Sequence, residues 1–590
     1  MSGRKLLKKF LIWRIRHVNE RVFIGALSII TGIVSGLVAV VIKNSVHFIQ
    51  EFLRGGDTAG TENFLFIFYP IVGITIVVIL VKYVIKRKVG HGIPTVLYSI
   101  SRTKGDIKPH NLFSSIITSA LTVGFGGSVG LEGPTVATGA AYGSSIGKLF
   151  HLKHKQIILL LGCASTGAMA AIFKAPIAAI VFALEVMMLD LTMASLVPLL
   201  LASVSAIITS YLFMGQNVLY PVVLTDVFKI SNLHYYAILG VLTGLLSVYF
   251  TKMYMFVGRA FEKISSWIWK IAIGGLILGI LIFLMPSLYG EGYDVINSAL
   301  SGNHEHLFEN TFYFHAHSDI MAIILAFFMI LFFKVIATSV TFNAGGVGGI
   351  FAPSLFLGAN LGLMFSIVAN KFDLKLSLSN FALVGMAGTI AGIVHAPLTA
   401  IFLIAEITGG YELFLPLMIV AAISYATVRI FTSNSVYTKQ LAMRGQLFTH
   451  NADKNMLAML TLESLIEKNF LTVKESASLG DLTHVISKSS RTIYVVVDDE
   501  NNLKGIVWLD HVKHLMFKPA LYKKTFVKDL MYMPPDLVEI DMSMQQVAEI
   551  FETSNYYNLP VVNKGKYVGF VSRAKVFSNY RKKMKHFAND

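Results

Sequence analysis

One cysteine, Cys163, stands among the 590 residues. That excludes an internal disulfide and a thiolate metal cluster, and leaves Cys163 as a small buried apolar side chain. Charge is scarce as well. Asp, Glu, Lys and Arg make up 14% of the chain, where a soluble domain carries about 25%, so an ordinary soluble protein is excluded for most of the length. Acids are scarcer than bases, 34 against 50, and the net charge is +16. Yet no basic face interleaved with aromatics stands out, so nucleic acid is not an expected partner. A His-Glu-x-x-His helix is missing. Its nearest approach is His304-Glu305-His306, with Phe308 in the fifth position and Glu309, His315, His317 and Asp319 beyond. That polar stretch lies between apolar segments rather than inside one. A membrane metalloprotease is therefore a distant alternative, and neither a metal site nor an enzymatic reaction is expected. No small-residue cleavage site closes a short apolar core, which argues against a cleaved signal peptide.

What is abundant is apolar sequence, 54% of the chain. Long apolar runs recur at residues 23–42, 64–84, 271–285 and 320–340, which predicts a polytopic, mostly helical membrane protein. Other runs are broken by Gly and Pro, and such breaks are tolerated at membrane depth only inside protein or along a cavity. The first 21 residues carry Arg4, Lys5, Lys8, Lys9, Arg14, Arg16 and Arg21 against one acid, Glu20. That asymmetry predicts a cytoplasmic N-terminus. The chain falls into two parts. Residues 1–450 form the membrane part. From about residue 455 to 590, charge returns and β-rich runs alternate with helical ones. The junction at 443–454 is polar and holds no proline.

Chemistry concentrates at Gly126-Gly127-Ser128-Val129-Gly130-Leu131-Glu132-Gly133-Pro134. Glycine lets main chain approach a ligand with no Cβ in the way. Pro134 suits the first turn of a helix, predicted over 135–150. A glycine-rich break feeding a helix start presents free N–H groups and the positive end of a dipole, which together attract anions. Glu132 is placed to occupy that anion site itself. The bland alternative is a packing turn with a satisfied carboxylate, but a lone carboxylate at membrane depth is a functional candidate first.

The membrane part repeats. A shift of 221 residues carries Gly167, Ala175, Pro176 and Glu185 onto Gly388, Ala396, Pro397 and Glu406. A shift of 219 carries Gly127, Gly130, Pro134, Gly139 and Gly143 onto Gly346, Gly349, Pro353, Gly358 and Gly362. Two halves with interrupted helices at matching positions predict a transport site between them. Two more glycine-flanked helix starts, Gly90-His91-Gly92-Ile93-Pro94 and Gly349-Ile350-Phe351-Ala352-Pro353, share the pattern. Tyr437 follows the last apolar segment and offers a hydroxyl.

These stretches resemble the signature motifs of the CLC family of chloride channels and chloride/proton exchangers. Gly90–Pro94 is similar to Gly-Ser-Gly-Ile-Pro, Gly130–Pro134 to Gly-(Lys/Arg)-Glu-Gly-Pro, and Gly349–Pro353 to Gly-x-Phe-x-Pro. The resemblance implies an all-α membrane domain of two inverted repeats with broken helices, assembled as a homodimer in which each subunit has its own anion pathway. It implies Glu132 as the gating, proton-binding carboxylate. It places chloride against Gly90, His91, Gly92, Ile93, Pro94, Gly130, Gly133, Gly349, Ile350, Phe351, Ala352 and Tyr437, chiefly through main-chain N–H groups. Chloride and protons are then the cargo, the lipid bilayer is the surrounding, and no cofactor is expected. Short loops resemble the prokaryotic members, which implies a prokaryotic inner membrane.

Three departures bear on mechanism. His91 stands where most members have serine, adding a group that titrates near neutral pH. Leu131 replaces the usual basic residue and removes a positive charge from the pathway. Val186, in Phe182-Ala183-Leu184-Glu185-Val186, stands where many exchangers carry a second, internal proton-binding glutamate and channels carry valine. Chloride/proton antiport is the favoured expectation, with an uncoupled chloride channel as the alternative. The tail resembles a cytoplasmic CBS pair, at about 465–518 and 525–585. Residues 493–497 lead to 504–507, and residues 558–562 lead to 567–571, each as strand, turn and strand before a helix. Trp508 and His511 in one copy, and Ser572 and Lys575 in the other, leave both without the ribose-binding acid of nucleotide-binding copies. A nucleotide ligand is therefore doubtful.

Overall fold

The computed structural model describes residues 2–54, 62–90, 92–189, 192–216, 228–303, 320–443, 460–554, 556–579 and 581. The chain divides into two units, Met1–Leu447 and Phe448–Asp590. His304 to Asp319, with all the histidines of the metalloprotease alternative, lie outside the described residues, as does most of the 443–454 junction.

The first unit is helical. Its earlier half runs α1 (Ser2–His17), α2 (Glu20–Arg54), α3 (Glu62–Ile79), α4 (Ile93–Arg102), α5 (Ser114–Gly124), α6 (Glu132–Leu149), α7 (His154–Phe173), α8 (Pro176–Glu185) and α9 (Met193–Met214). The later half runs α10 (Leu233–Glu262), α11 (Trp267–Leu284), α12 (Tyr293–Leu300), α13 (Ile320–Ala344), α14 (Phe351–Asn370), α15 (Leu378–Val394), α16 (Pro397–Ile407), α17 (Phe414–Phe431) and α18 (Val436–Met443). Among the described residues, 9 helices are long and apolar enough to cross a membrane. The apolar runs sit inside α2, α3, α11 and α13, and α3 continues as a π-turn over Leu80–Ile85. The helix predicted over 135–150 starts three residues earlier, so Glu132 is its first residue and Pro134 its third.

The repeat in sequence is a repeat in packing. α6 lies on α7 as α14 lies on α15, and α2 crosses α7 and α9 as α10 crosses α15 and α17. Small residues make these approaches possible. A Cβ on Gly143 would sit 2.5 Å from Leu160 O, and one on its counterpart Gly362 would sit 2.0 Å from Phe381 O. Close backbone approach through small residues is how helices associate in lipid, where there is no hydrophobic drive between them. The corners match too. Lys174 (φ 56°) and His395 (φ 61°) both take the left-handed conformation between paired helices. Each is followed by an Ala-Pro that opens α8 or α16, with proline at the first helical position.

The second unit holds two three-stranded sheets. β1 (Thr472–Lys474) runs parallel to β2 (Ile493–Val497), which pairs antiparallel with β3 (Leu503–Trp508). β4 (Val538–Glu539), β5 (Asn558–Asn563) and β6 (Lys566–Ser572) repeat that order. The helices Leu479–Ser487 and Met544–Ser554 precede β2 and β5. β1 and β4 were not predicted, because two or three residues carry no alternation. The copies interlock through their turns, where Leu503 N–H donates to Gly565 O at 3.0 Å.

Candidate functional site where the repeats cross

Three helix starts meet near the centre of the membrane unit. Gly92, just before α4, has φ 70°, and a Cβ there would lie 2.6 Å from the carbonyl carbon of Gly133 in α6. A Cβ on Gly133 would in turn lie 3.2 Å from the Cα of Gly349, just before α14. Only main chain with no side chain can be brought this close. The α6 and α14 starts are tied by a two-residue antiparallel bridge, in which Gly130 N–H donates to Gly349 O at 2.8 Å and Gly349 N–H to Gly130 O at 2.7 Å. Each glycine is the other's counterpart in the repeat. The tie is reinforced reciprocally: Thr341 Oγ1 accepts from Ser128 N–H at 3.2 Å, and Thr122 Oγ1 accepts from Val347 N–H at 3.0 Å. Both pairs obey the 219-residue shift. The break is thus a symmetric crossing that the two halves build together.

Ile93, Pro94, Gly133, Gly349, Ile350 and Tyr437 line one small cavity at this crossing. Four separate stretches singled out in the sequence are thereby brought together. Tyr437 is buried, at 4% exposure, and its hydroxyl has no hydrogen-bond partner among the described residues. Beside it, Gln440 Nε2 donates to Tyr254 OH at 2.8 Å. Phe351 and Ala352 are fully buried in the first turn of α14. Gly90 precedes α4 and packs on Thr95. His91 lies outside the described residues. One expectation needs correction. The N–H groups of Gly349 and Gly130 are committed to the bridge, so neither is left to hold an anion. The helix-start donors that remain on α14 belong to Ile350, Phe351 and Ala352, since the first N–H groups of a helix have no partner within it.

Glu132 is fully buried at the same crossing. Tyr293 OH donates to its Oε1 at 2.7 Å. Oε2 lies against the bridge: a Cβ on Gly130 would fall 2.1 Å from it, and one on Gly349 would fall 3.5 Å away. The Ala352 N–H approaches the carboxylate, yet Oε2 is left without a hydrogen bond of full geometry. The carboxylate thus rests at the positive ends of two helices, where a free anion would be drawn.

Sequence reasoning missed four residues around Glu132. Glu291 Oε1 accepts the Leu131 N–H at 3.1 Å, one residue before Glu132. Lys43 of α2 shares a small cavity with Leu131, Glu291 and Tyr293. A cation therefore does stand beside position 131, although Leu131 itself carries none. Lys334 of α13 is fully buried. It donates to Gly290 O at 3.2 Å and Leu288 O at 3.5 Å, with Nζ 4.6 Å from the Phe356 ring centre. Lys334 was legible as a lone charge inside the apolar run 320–340. The missed tyrosine, Tyr293, carried no comparable signal.

Glu185 and Glu406 have a different task. Ala175 and Ala396 at the caps of α8 and α16 have no side chain to cap with. Glu185 therefore accepts from Leu398 N–H at 3.1 Å and from Thr399 N–H at 2.8 Å. Glu406 accepts from Ile177 N–H at 2.9 Å and Ala178 N–H at 2.8 Å. Each half caps the other. Val186, next to Glu185, is buried at 6% exposure.

In the tail, Ser572 Oγ donates to Glu467 Oε1 at 2.6 Å, and Arg491 pairs with the same carboxylate at 2.7 Å. The Ser572 hydroxyl is thus spent internally.

Residues 72–429 match the family described as voltage gated chloride channel, and residues 462–507 and 527–582 match the CBS domain. A Ralstonia nicotianae protein named putative chloride channel protein ClcB-like is 31% identical over 337 residues, 55% of this chain and 73% of its own. A Vibrio cholerae protein named H(+)/Cl(-) exchange transporter ClcA is 27% identical over 434 residues, 70% of this chain and 88% of its own. Among solved structures, a slow cyanobacterial Cl-/H+ antiporter has a TM-score of 0.63 at 22% identity, over 72% of this chain and 98% of its own. A eukaryotic CLC transporter has 0.60 at 17% identity, over 94% and 97%. These two likenesses bear on the fold.

Proposed function

The chain belongs to the voltage-gated chloride channel family, and from that membership we propose that it exchanges chloride for protons across a membrane, gated by Glu132. One observation carries the reading: a fully buried carboxylate, Glu132, rests where the helix starts of both repeats meet. Relatives named H(+)/Cl(-) exchange transporter support the coupled mode.

The N–H groups of Ile350, Phe351 and Ala352 hold chloride, with Gly133 and the Gly90–Pro94 stretch along the cavity and the Tyr437 hydroxyl as a further donor. Neutral donors bind a halide without a fixed positive charge, so the ion enters and still leaves. Ionised Glu132 competes for that place and closes the path. A proton removes its charge and its hold on the helix starts, and the path opens to chloride. One group thus couples the two ions. In this reading residues 1–450 transport, and residues 455–590 form a CBS pair with cores at about 465–518 and 525–585. The protein works as a homodimer in a prokaryotic inner membrane, with N-terminus and tail cytoplasmic.

The uncoupled channel is the second reading, favoured by Val186 and by the commitment of Glu185 to a helix cap. Neither offers an internal proton acceptor. Reconstituted liposomes under a chloride gradient decide between them. Exchange predicts uphill proton movement in wild type, lost in Glu132→Gln, whose chloride flux also loses most of its pH dependence. Chloride flux without proton movement selects the channel, and no chloride flux from folded protein rejects both.

A further inference from the structure

The loop from Leu288 to Tyr293 touches the gate at both ends of its break. Tyr289 OH donates to Gly124 O at 2.6 Å, where α5 stops. Gly126 takes the tyrosine ring so closely that a Cβ would lie 2.7 Å from it. At the other end Glu291 holds the Leu131 N–H and Tyr293 holds the Glu132 carboxylate. Gly292 separates them at φ 79°, where a Cβ would meet Phe356 at 2.6 Å. Lys334 anchors the loop from beneath through two carbonyls. A backbone position and a side chain of the gate are therefore both held by one short segment, which is itself fastened to α13 and α14.

We propose that this segment is a latch: Tyr293 pins the ionised Glu132 carboxylate in the anion path, and Glu291 fixes the backbone that carries it. The inference rests on Glu132 being the gate. A phenol donates to a carboxylate more strongly than to a neutral acid, because a charged acceptor strengthens the bond. The latch therefore holds the closed, ionised gate and lets go of the protonated one. Glu291 acts through its oxygen, which holds the Leu131 N–H. The other charged or titratable groups facing this pair are Lys43 of α2, Lys334 of α13 and Tyr437 of α18, and Lys174 faces Lys43. Tyr293 and Glu291 are thus positioning residues, one for the carboxylate and one for the backbone that carries it.

The test uses the full chain in liposomes, with chloride flux and proton movement read from pH ~4 to ~8, a range spanning ordinary and raised carboxylates. Tyr293→Phe keeps the ring and removes the donor. Its chloride flux near neutral pH should rise roughly tenfold, the scale of one hydrogen bond to a charged group. Its half-maximal flux should move to higher pH, and fewer protons should accompany each chloride. Glu291→Leu removes the acceptor for Leu131 and should move half-maximal flux to higher pH, as Tyr293→Phe does, while Glu291→Gln keeps an acceptor and should move it less. A merely loosened fold would move the two Glu291 variants equally. On a Glu132→Ala background, Tyr293→Phe should change nothing. A Tyr293→Phe profile that overlays wild type overturns the latch, as does an equal effect on the Glu132→Ala background. Should Tyr293→Phe fail to fold, the comparison of Glu291→Leu with Glu291→Gln decides alone, and equal profiles in the two count against the latch. Wild-type protein moving chloride without protons overturns the exchange reading instead, and the latch is then judged on flux against pH.

Discussion

Gly130 shows how tightly Glu132 is fitted. It has no side chain because Glu132 Oε2 fills that space, 2.1 Å from where a Cβ would stand. Gly130→Ala should push the carboxylate off the crossing and depress coupled flux, with retention of the solubilised fold by circular dichroism. Unchanged proton coupling in Gly130→Ala would mean that Oε2 is not held there in the working protein. Lys334 offers a stability test. Lys334→Met fills much of the same volume but strands the carbonyls of Leu288 and Gly290. Unsatisfied buried acceptors cost about 1–3 kcal/mol, so thermal unfolding in detergent should begin lower. His91 poses a separate question, since it lies outside the described residues. If its ring faces the anion, flux on a Glu132→Gln background should keep a pH dependence from the cytoplasmic side that His91→Ser removes. Identical profiles in the two would place the ring away from the path.

Among the elements, the crossed caps of α8 and α16 make the clearest prediction. A capping side chain contributes about 0.5–2 kcal/mol. Glu185→Ala and Glu406→Ala should each lower the thermal midpoint, Glu185→Ala somewhat more because the Thr399 hydroxyl also donates to Glu185, at 2.7 Å. A large effect of one and none of the other would show that the pseudo-symmetry does not extend to energetics. The repeat itself was legible in the sequence, since Ala-Pro followed by Glu recurs at a fixed shift. That each Glu serves the other half was not legible, because a cap is normally sought on its own helix. Likewise, glycine motifs announced helix starts, but nothing in them revealed that Gly130 and Gly349 pair with each other and so withdraw their N–H groups from any ligand.

For the whole molecule, light scattering in detergent should give twice the chain mass if the proposed homodimer holds, and a single-chain mass would remove it. The tail makes a pH prediction. Burial pushes the Glu467 carboxyl up, but bonds from Ser572 and Arg491 outweigh it and hold the group below its usual range. Asp498 is held down to about 2, first by the Asn502 side chain. Both values are depressed by folding, so their stabilisation is complete above the ordinary carboxylate values of about 4 and is lost as pH falls toward 2. Hydrogen exchange of β2, β5 and β6 should accelerate in that window while α6 and α14 stay protected. Calorimetry of the full protein with ATP should show weak or no binding, given His511, Lys575 and the internal use of Ser572. Tight, saturable binding would reverse that expectation.

Sequence by itself determined the kind of molecule. Apolar length and scarce charge put most of it in a bilayer, the fixed shifts made it two related halves, and the motif at Glu132 singled out the carboxylate proposed as the gate. Such signals are local or periodic, and a chain displays them unfolded. Tertiary structure decided what surrounds that residue. Lys43, the near neighbours Glu291 and Tyr293, and Lys334 come from α2, the start of α12 and α13, three stretches far apart in sequence and without a shared pattern. Their meaning lies in distances across the fold: 2.7 Å from Tyr293 to Glu132, 3.1 Å from Leu131 to Glu291. A hydrogen bond depends on where two groups end up, and that is settled only when the two halves have packed around their common crossing.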